Sequence, residues 1–173
     1  SARTQHPWQS LRELRRYLVG LPRLVCGYAW QDVDAIDTYT DTDWAGCPRT
    51  RKSTNGGGAL VGPHTVETWS STQSGVSLDS GGAGFNGVVR GAGVGLGHQN
   101  ILKDLGVDLP VRVWTGSSAA TGICTRQGLG KRRHLDTHTL WTQQAVRPKR
   151  VDRRNAAGEV NPADLFTKPP LTR

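Results

Sequence analysis

Apolar side chains recur at helical spacing near the N-terminus, at Trp8, Leu11, Leu14 and Leu18, with Arg12, Arg15 and Arg16 between them. This pattern predicts an amphipathic helix over roughly those residues, ended by Gly20 and Pro22. Residues 24–30 read as a short strand. Residues 36–44 alternate apolar and polar positions, as a half-buried strand does, and residues 57–61 and 66–69 suggest two more. Asn55, Gly56, Gly62 and Pro63 are turn formers and separate those runs, so the opening of the domain is expected to be three antiparallel strands. Further on, residues 111–115 predict a buried strand and residues 117–126 a helix. Residues 135–146 predict another helix, residues 150–155 a basic strand, and residues 161–167 a closing helical turn.

Length and composition narrow the class. A chain of 173 residues suits one compact domain that can bury a core without metals or disulfides. Cys26, Cys47 and Cys124 are odd in number and far apart, so neither a disulfide framework nor a zinc site is indicated. No apolar run approaches membrane-spanning length and no secretory signal is visible, which points to an intracellular protein of unassigned compartment. Methionine is absent even at position 1, as expected of a processed product or a piece of a longer polyprotein.

The net charge of +8, from 22 Lys and Arg against 14 Asp and Glu, favours a polyanionic partner. The cations cluster. Arg126, Lys131, Arg132, Arg133, Arg147, Lys149, Arg150, Arg153 and Arg154 crowd the last third, while Arg12, Arg15, Arg16 and Arg23 mark the N-terminal segment.

Four segments carry a resemblance: Tyr39-Thr-Asp-Thr-Asp-Trp-Ala-Gly46 with Arg51-Lys-Ser-Thr54, Trp69-Ser-Ser-Thr-Gln73, Val113-Trp-Thr-Gly-Ser-Ser-Ala-Ala120 and Asn161-Pro-Ala-Asp-Leu-Phe-Thr-Lys168. In this order and spacing they resemble the ribonuclease H domain of copia-type LTR retrotransposon polyproteins. The stretch before residue 34 looks like the connection that joins reverse transcriptase to that domain. The resemblance implies a ribonuclease H-like α/β fold: a mixed five-stranded sheet with helices on both faces, over residues 34–173, after an N-terminal helical extension over residues 1–33. It also puts the family's long central helix at residues 77–106, with Phe85, Val88, Val89, Ile101, Leu102 and Leu105 as buried positions. Eight glycines fall between Gly81 and Gly97, and each interior glycine costs a helix about 1 kcal/mol relative to alanine. That helix is therefore expected to lean on a partner or to be partly irregular.

Ribonuclease H chemistry holds two divalent cations between acidic oxygens, one generating the attacking hydroxide and the other stabilising the leaving oxygen. The resemblance places the first carboxylate at Asp41, with Asp43 its neighbour on the same strand face. It places the second within Asp79-Ser-Gly-Gly-Ala-Gly-Phe85, where aligning on Phe85 puts Gly84 at the catalytic position and Gly82 at the helix's other acidic position. The third falls at Gly116, in Thr115-Gly116-Ser117. The fourth survives as Asp164. Asp41 and Asp164 alone would hold at most one weak magnesium, and Asp79 and Glu67 are the candidates to stand in for what is missing.

Other motifs carry less. His134, Asp136 and His138 resemble a segment of the family and suit a structural role better than a zinc site. Six tryptophans, Trp8, Trp30, Trp44, Trp69, Trp114 and Trp141, are expected mostly in the core rather than as base-stacking platforms.

The expectation is a non-catalytic ribonuclease H-like domain of retrotransposon origin. It would bind RNA or an RNA–DNA hybrid, or act as a scaffold beside other proteins of a ribonucleoprotein, with no required cofactor, no small-molecule ligand and no membrane. Arg51, Lys52, Lys131, Arg132, Arg133, Lys149, Arg150, Arg153 and Arg154 are the candidate nucleic-acid contacts. Two alternatives stand beside it: an active metal-dependent nuclease that cuts RNA in hybrids with substitute ligands, and a structural subunit that touches no nucleic acid.

Overall fold

The computed structural model describes residues 2–23, 25–128, 140–146 and 148–168, except for the side chains of residues 2–7 and 10. The chain divides into two units, Ser1–Trp30 and Gln31–Arg173. The first unit holds one helix, α1 (Ala2–Gly20), longer than the apolar spacing predicted. Its apolar stripe, Trp8, Leu11, Leu14 and Leu18, is exposed. The strand expected over residues 24–30 does not form in the described part, where Tyr28 and Trp30 are exposed.

The second unit is built on five strands: β1 (Ile36–Asp43), β2 (Thr54–Val61), β3 (His64–Thr72), β4 (Val111–Thr115) and β5 (Val151–Asn155). Their order across the sheet is β3-β2-β1-β4-β5. The first three strands pair antiparallel, and β4 and β5 run parallel to β1. The β2–β3 hairpin turns at Gly62, whose φ of 58° lies in the left-handed region that favours glycine. Asn55 and Gly56 are not turn residues, as the sequence suggested, but lie inside β2, opposite Thr42 and Asp41.

Helices α2 (Ser80–Asp104), α3 (Ser118–Thr125) and α4 (Trp141–Val146) cover one face of this sheet. On the other face lies a 3₁₀ turn over Pro162–Phe166, which packs on β2 and β1. The core joins Ile36, Val111, Val113 and Val151 of the sheet to Phe85, Val88 and Ala92 of α2 and to Ile123 of α3.

Helix α2 is continuous for 25 residues despite its glycines. Asp79 caps its start by accepting the Gly82 N–H at 2.7 Å, and Gly106 at φ 84° closes its end, where the Val107 N–H reaches the Leu102 carbonyl at 2.8 Å. Gly87, Gly91 and Gly95 face the sheet. A β-carbon on Gly87 would lie 2.6 Å from Thr42 Oγ1, one on Gly91 2.5 Å from Thr40 Cγ2, and one on Gly95 2.5 Å from Val111 Cγ1. These are closer than real β-carbon contacts allow, so the helix backbone sits directly on the strands. Close docking offsets the poor helix propensity, and the expectation of an irregular helix is corrected. Two of the residues proposed as buried on α2 are also corrected: Ile101 is 60% exposed and Leu105 is 74% exposed.

The helix predicted over residues 135–146 is described only as α4, because residues 129–139 lie outside the described residues.

Candidate functional site

The four carboxylate positions gather at the C-terminal edge of the parallel strands. Asp41 and Gly116 each follow a residue of the pair Thr40 and Thr115 on neighbouring strands, which lie about 4.8 Å apart in any sheet. Asn161 ties the segment carrying Asp164 to β1, donating its side-chain amide to the Thr40 carbonyl at 3.2 Å and accepting the Ala163 N–H at 3.2 Å. Gly84 approaches from α2, on the other side, beside Ser117.

Gly84 is buried and closed in. A β-carbon there would sit 2.8 Å from Ser117 Oγ, 3.0 Å from Ser117 Cβ and 3.4 Å from Ala120 Cβ. Ser117 is held in place because its hydroxyl caps α3, accepting the Ala120 N–H at 3.1 Å. Gly116 differs. The nearest atom to a β-carbon there would be the Ala156 carbonyl oxygen at 3.6 Å, an ordinary contact. An aspartate would fit at 116, whereas a glutamate at 84 would displace Ser117.

The two surviving carboxylates are engaged from one short segment. Thr167 donates its hydroxyl to Asp41, and Lys168 donates its ammonium to Asp164 one helical turn earlier. The Asp164 carboxylate holds the Lys168 ammonium above the usual lysine range, with a smaller contribution from the charge of Asp41. Asp164 is therefore paired with a cation and Asp41 with a hydroxyl. Asp43 turns instead over the backbone of Gly46.

Neither candidate substitute reaches the centre. The Asp79 carboxylate is committed to the first turn of α2. Glu67 lies 3.6 Å from His98, and His98 is fourteen residues beyond Gly84 on α2, roughly 21 Å along the helix axis. Among the described residues no group of three or more His, Cys, Asp and Glu side chains could hold a metal ion. Gly84 and Gly116 offer no side-chain donor, and the described residues present do not fit the two metals that the fold family implies. The His134-x-Asp136-x-His138 run lies outside the described residues.

The basic residues do not form one surface. Arg51, in the left-handed region at φ 57°, and Lys52 sit in the β1–β2 connection, at the same edge as Asp41. Lys149 and Arg150 precede β5, at the opposite edge. Arg153 faces the helices and bonds Thr121 at 2.8 Å, while Arg154, on the other face, pairs with Asp152 at 2.9 Å. Strand alternation splits these neighbours, which a count of charges along the sequence cannot show. Lys131, Arg132 and Arg133 lie outside the described residues.

The tryptophans also depart from expectation. Trp69 is buried, with the Arg90 guanidinium 5.7 Å from its ring. Trp8, Trp30 and Trp44 are exposed. Trp114 is sandwiched on the sheet face away from α2, stacked on Tyr39 at 5.6 Å with Arg154 on its other side at 5.5 Å. Thr167, Lys168 and Ser117 are the site residues that sequence reasoning missed. All three lay inside quoted motifs, and for Lys168 its spacing of four from Asp164 was the available signal.

This sheet order, with the long helix across it and the motifs at one edge, defines a ribonuclease H-like domain. The chain is similar to the N-terminal RNase H domain of rv2228c from Mycobacterium tuberculosis, solved as a fusion with maltose-binding protein. That match has a TM-score of 0.55 at 14% identity and covers 79% of this chain and 91% of that one. It is also similar to LC11-RNase H1 in complex with RNA/DNA hybrid, at a TM-score of 0.52 and 18% identity, covering 76% of this chain and 92% of that one. No family model matches the chain.

In sequence it is 28% identical over 171 residues to the retrovirus-related Pol polyproteins from transposons RE2 and RE1 of Arabidopsis thaliana, a match covering 96% of this chain. The chain spans 12% of the length of those relatives. Together these likenesses support a ribonuclease H-like domain similar to part of those retrotransposon polyproteins. No helix among the described residues is long and apolar enough to cross a membrane.

Proposed function

We infer that this domain is non-catalytic and holds nucleic acid, an RNA–DNA hybrid above all, on a ribonuclease H frame within a retrotransposon-derived ribonucleoprotein. The observation that carries the reading is the state of the centre. Glycine stands at two of the four carboxylate positions, Ser117 fills the space beside one of them, and Thr167 and Lys168 engage the acids that remain. Active sites lose most of their rate on displacements near 1 Å, so a cage with half its donors gone supports no two-metal step. No magnesium is required for the role proposed.

Hybrid binding rests on the net charge of +8 and on the likeness to LC11-RNase H1, whose solved complex contains an RNA/DNA hybrid. Losing carboxylates from a groove also removes repulsion toward phosphate. Arg51 and Lys52 flank the centre and are the nearest candidate phosphate contacts on that edge.

The test is anisotropy of a labelled RNA–DNA hybrid with the full chain in EDTA, across a range of salt. Binding that persists without metal and weakens steeply with salt is expected, because phosphate contacts release counterions. Absence of binding at low salt would leave the domain as a structural subunit.

A further inference from the structure

At the sheet edge away from the carboxylate centre, a cleft of about 350 Å³ opens between the C-terminal part of α2 and the turn before β5. Asn100 and Lys103 line one wall, Lys149 and Arg150 the other, with Asp108 between. Lys103 is paired with Asp108 at 3.3 Å. Among the described residues no carboxylate comes within ion-pairing distance of Lys149 or Arg150. The cleft therefore keeps an excess of two positive charges, which mutual repulsion makes costly unless an anion enters.

The local backbone contributes to this arrangement. Lys149 adopts φ 56°, uncommon for a lysine, in a turn closed by its N–H on the Val146 carbonyl at 3.1 Å. The turn sets two adjacent cations at the mouth of the cleft. A left-handed residue with a bulky side chain is a strained choice where asparagine or glycine would serve, and such strain collects at binding sites.

We propose that this cleft binds a phosphate of a nucleic-acid backbone, as a contact separate from the carboxylate centre. The guanidinium of Arg150 offers paired donors to phosphate oxygens and Lys149 a point charge, and the cleft is also lined by Asn100. From Pro110 to Gly116 the chain advances about 20 Å at the rise of a strand, so the two places are roughly six nucleotides apart on one strand. The nucleic-acid assignment rests on the reading given under Proposed function and adds to it a defined site and ligand chemistry.

The test compares the full chain with a Lys149→Asn, Arg150→Gln variant, since asparagine tolerates the left-handed backbone at 149. Binding to a labelled RNA–DNA hybrid is measured against salt, and inorganic phosphate is titrated while the Asn100 side-chain amide is followed by NMR. Equal melting temperatures establish that both proteins are folded. The expected result is that the slope of log K against log salt falls by about 2 in the variant and that the phosphate-induced shift at Asn100 disappears. Hybrid binding with the same slope in both proteins overturns the cleft and leaves hybrid binding intact. If the unaltered chain binds no hybrid while phosphate still shifts Asn100, the nucleic-acid source is overturned together with the hybrid reading, and the cleft belongs to another anion such as an acidic protein segment.

Discussion

Gly84 and Ser117 lie against each other so closely that a β-carbon on the glycine would be 2.8 Å from the serine hydroxyl. The position that the motifs imply for a carboxylate is thus crowded by the hydroxyl that caps α3. Restoring the acid alone should strain the protein. Gly84→Glu is expected to destabilise by about 1–3 kcal/mol, the usual cost of overpacking. Ser117→Gly removes both crowding atoms and costs only a few tenths of a kcal/mol as a cap. Urea denaturation of the two single variants and the double variant should show the double variant more stable than the sum of the singles. Additive losses would mean that the pair is not coupled.

The glycines of α2 should respond to alanine with opposite signs. Gly91→Ala drives a methyl into Thr40 Cγ2, at a β-carbon distance of 2.5 Å, and is expected to cost about 1–3 kcal/mol. Gly93→Ala points into open space, with nothing within 4 Å, and is expected to stabilise by about 1 kcal/mol through helix propensity. Thermal melting of the two variants decides the matter, and the same sign in both would contradict close docking.

The antiparallel opening was legible because alternation marks β1 and because Gly62 and Pro63 mark the β2–β3 turn, and β4 was legible as a short buried run. The course of α2 was not. Residue-by-residue propensity counts glycine as a loss and is blind to the sheet side chains that those glycines admit. At the centre the motifs imply carboxylate positions at Gly84 and Gly116, but Ser117 beside Gly84 is a contact between elements and leaves no local signature. The basic residues misled in the same way, since Arg153 and Arg154 are neighbours in sequence and lie on opposite faces of β5.

Asp79 is a helix cap and not a spare metal ligand. Asp79→Ala should cost about 1 kcal/mol of stability and leave nucleic-acid binding and any response to magnesium unchanged. Calorimetric titration of magnesium into both proteins checks the second half: a difference between them would return Asp79 to the site.

Cys47 should be the reactive thiol. Hydrogen bonds from Thr50, side chain first and backbone second, lower its pKa to about 7, whereas burial raises that of Cys124 to about 11. Below pH 7 the Cys47 thiol is protonated and slow, and above it the thiolate attacks. Alkylation by iodoacetamide, resolved by peptide mass spectrometry, should therefore rise through pH 7 at Cys47 while Cys124 stays unmodified up to pH 9. A midpoint near 9 at Cys47 would contradict the role of Thr50.

Incubation of a labelled RNA–DNA hybrid with the unaltered chain in magnesium and in manganese, beside a Gly84→Glu, Gly116→Asp, Ser117→Gly variant and an Asp41→Asn control, tests the loss of catalysis most directly. The expected result is an intact hybrid with the unaltered chain, and cleavage, if it appears at all, only with the triple variant. Cleavage by the unaltered chain that stops in EDTA and is lost in Asp41→Asn would show that the centre still assembles its metals, and would contradict a non-catalytic domain.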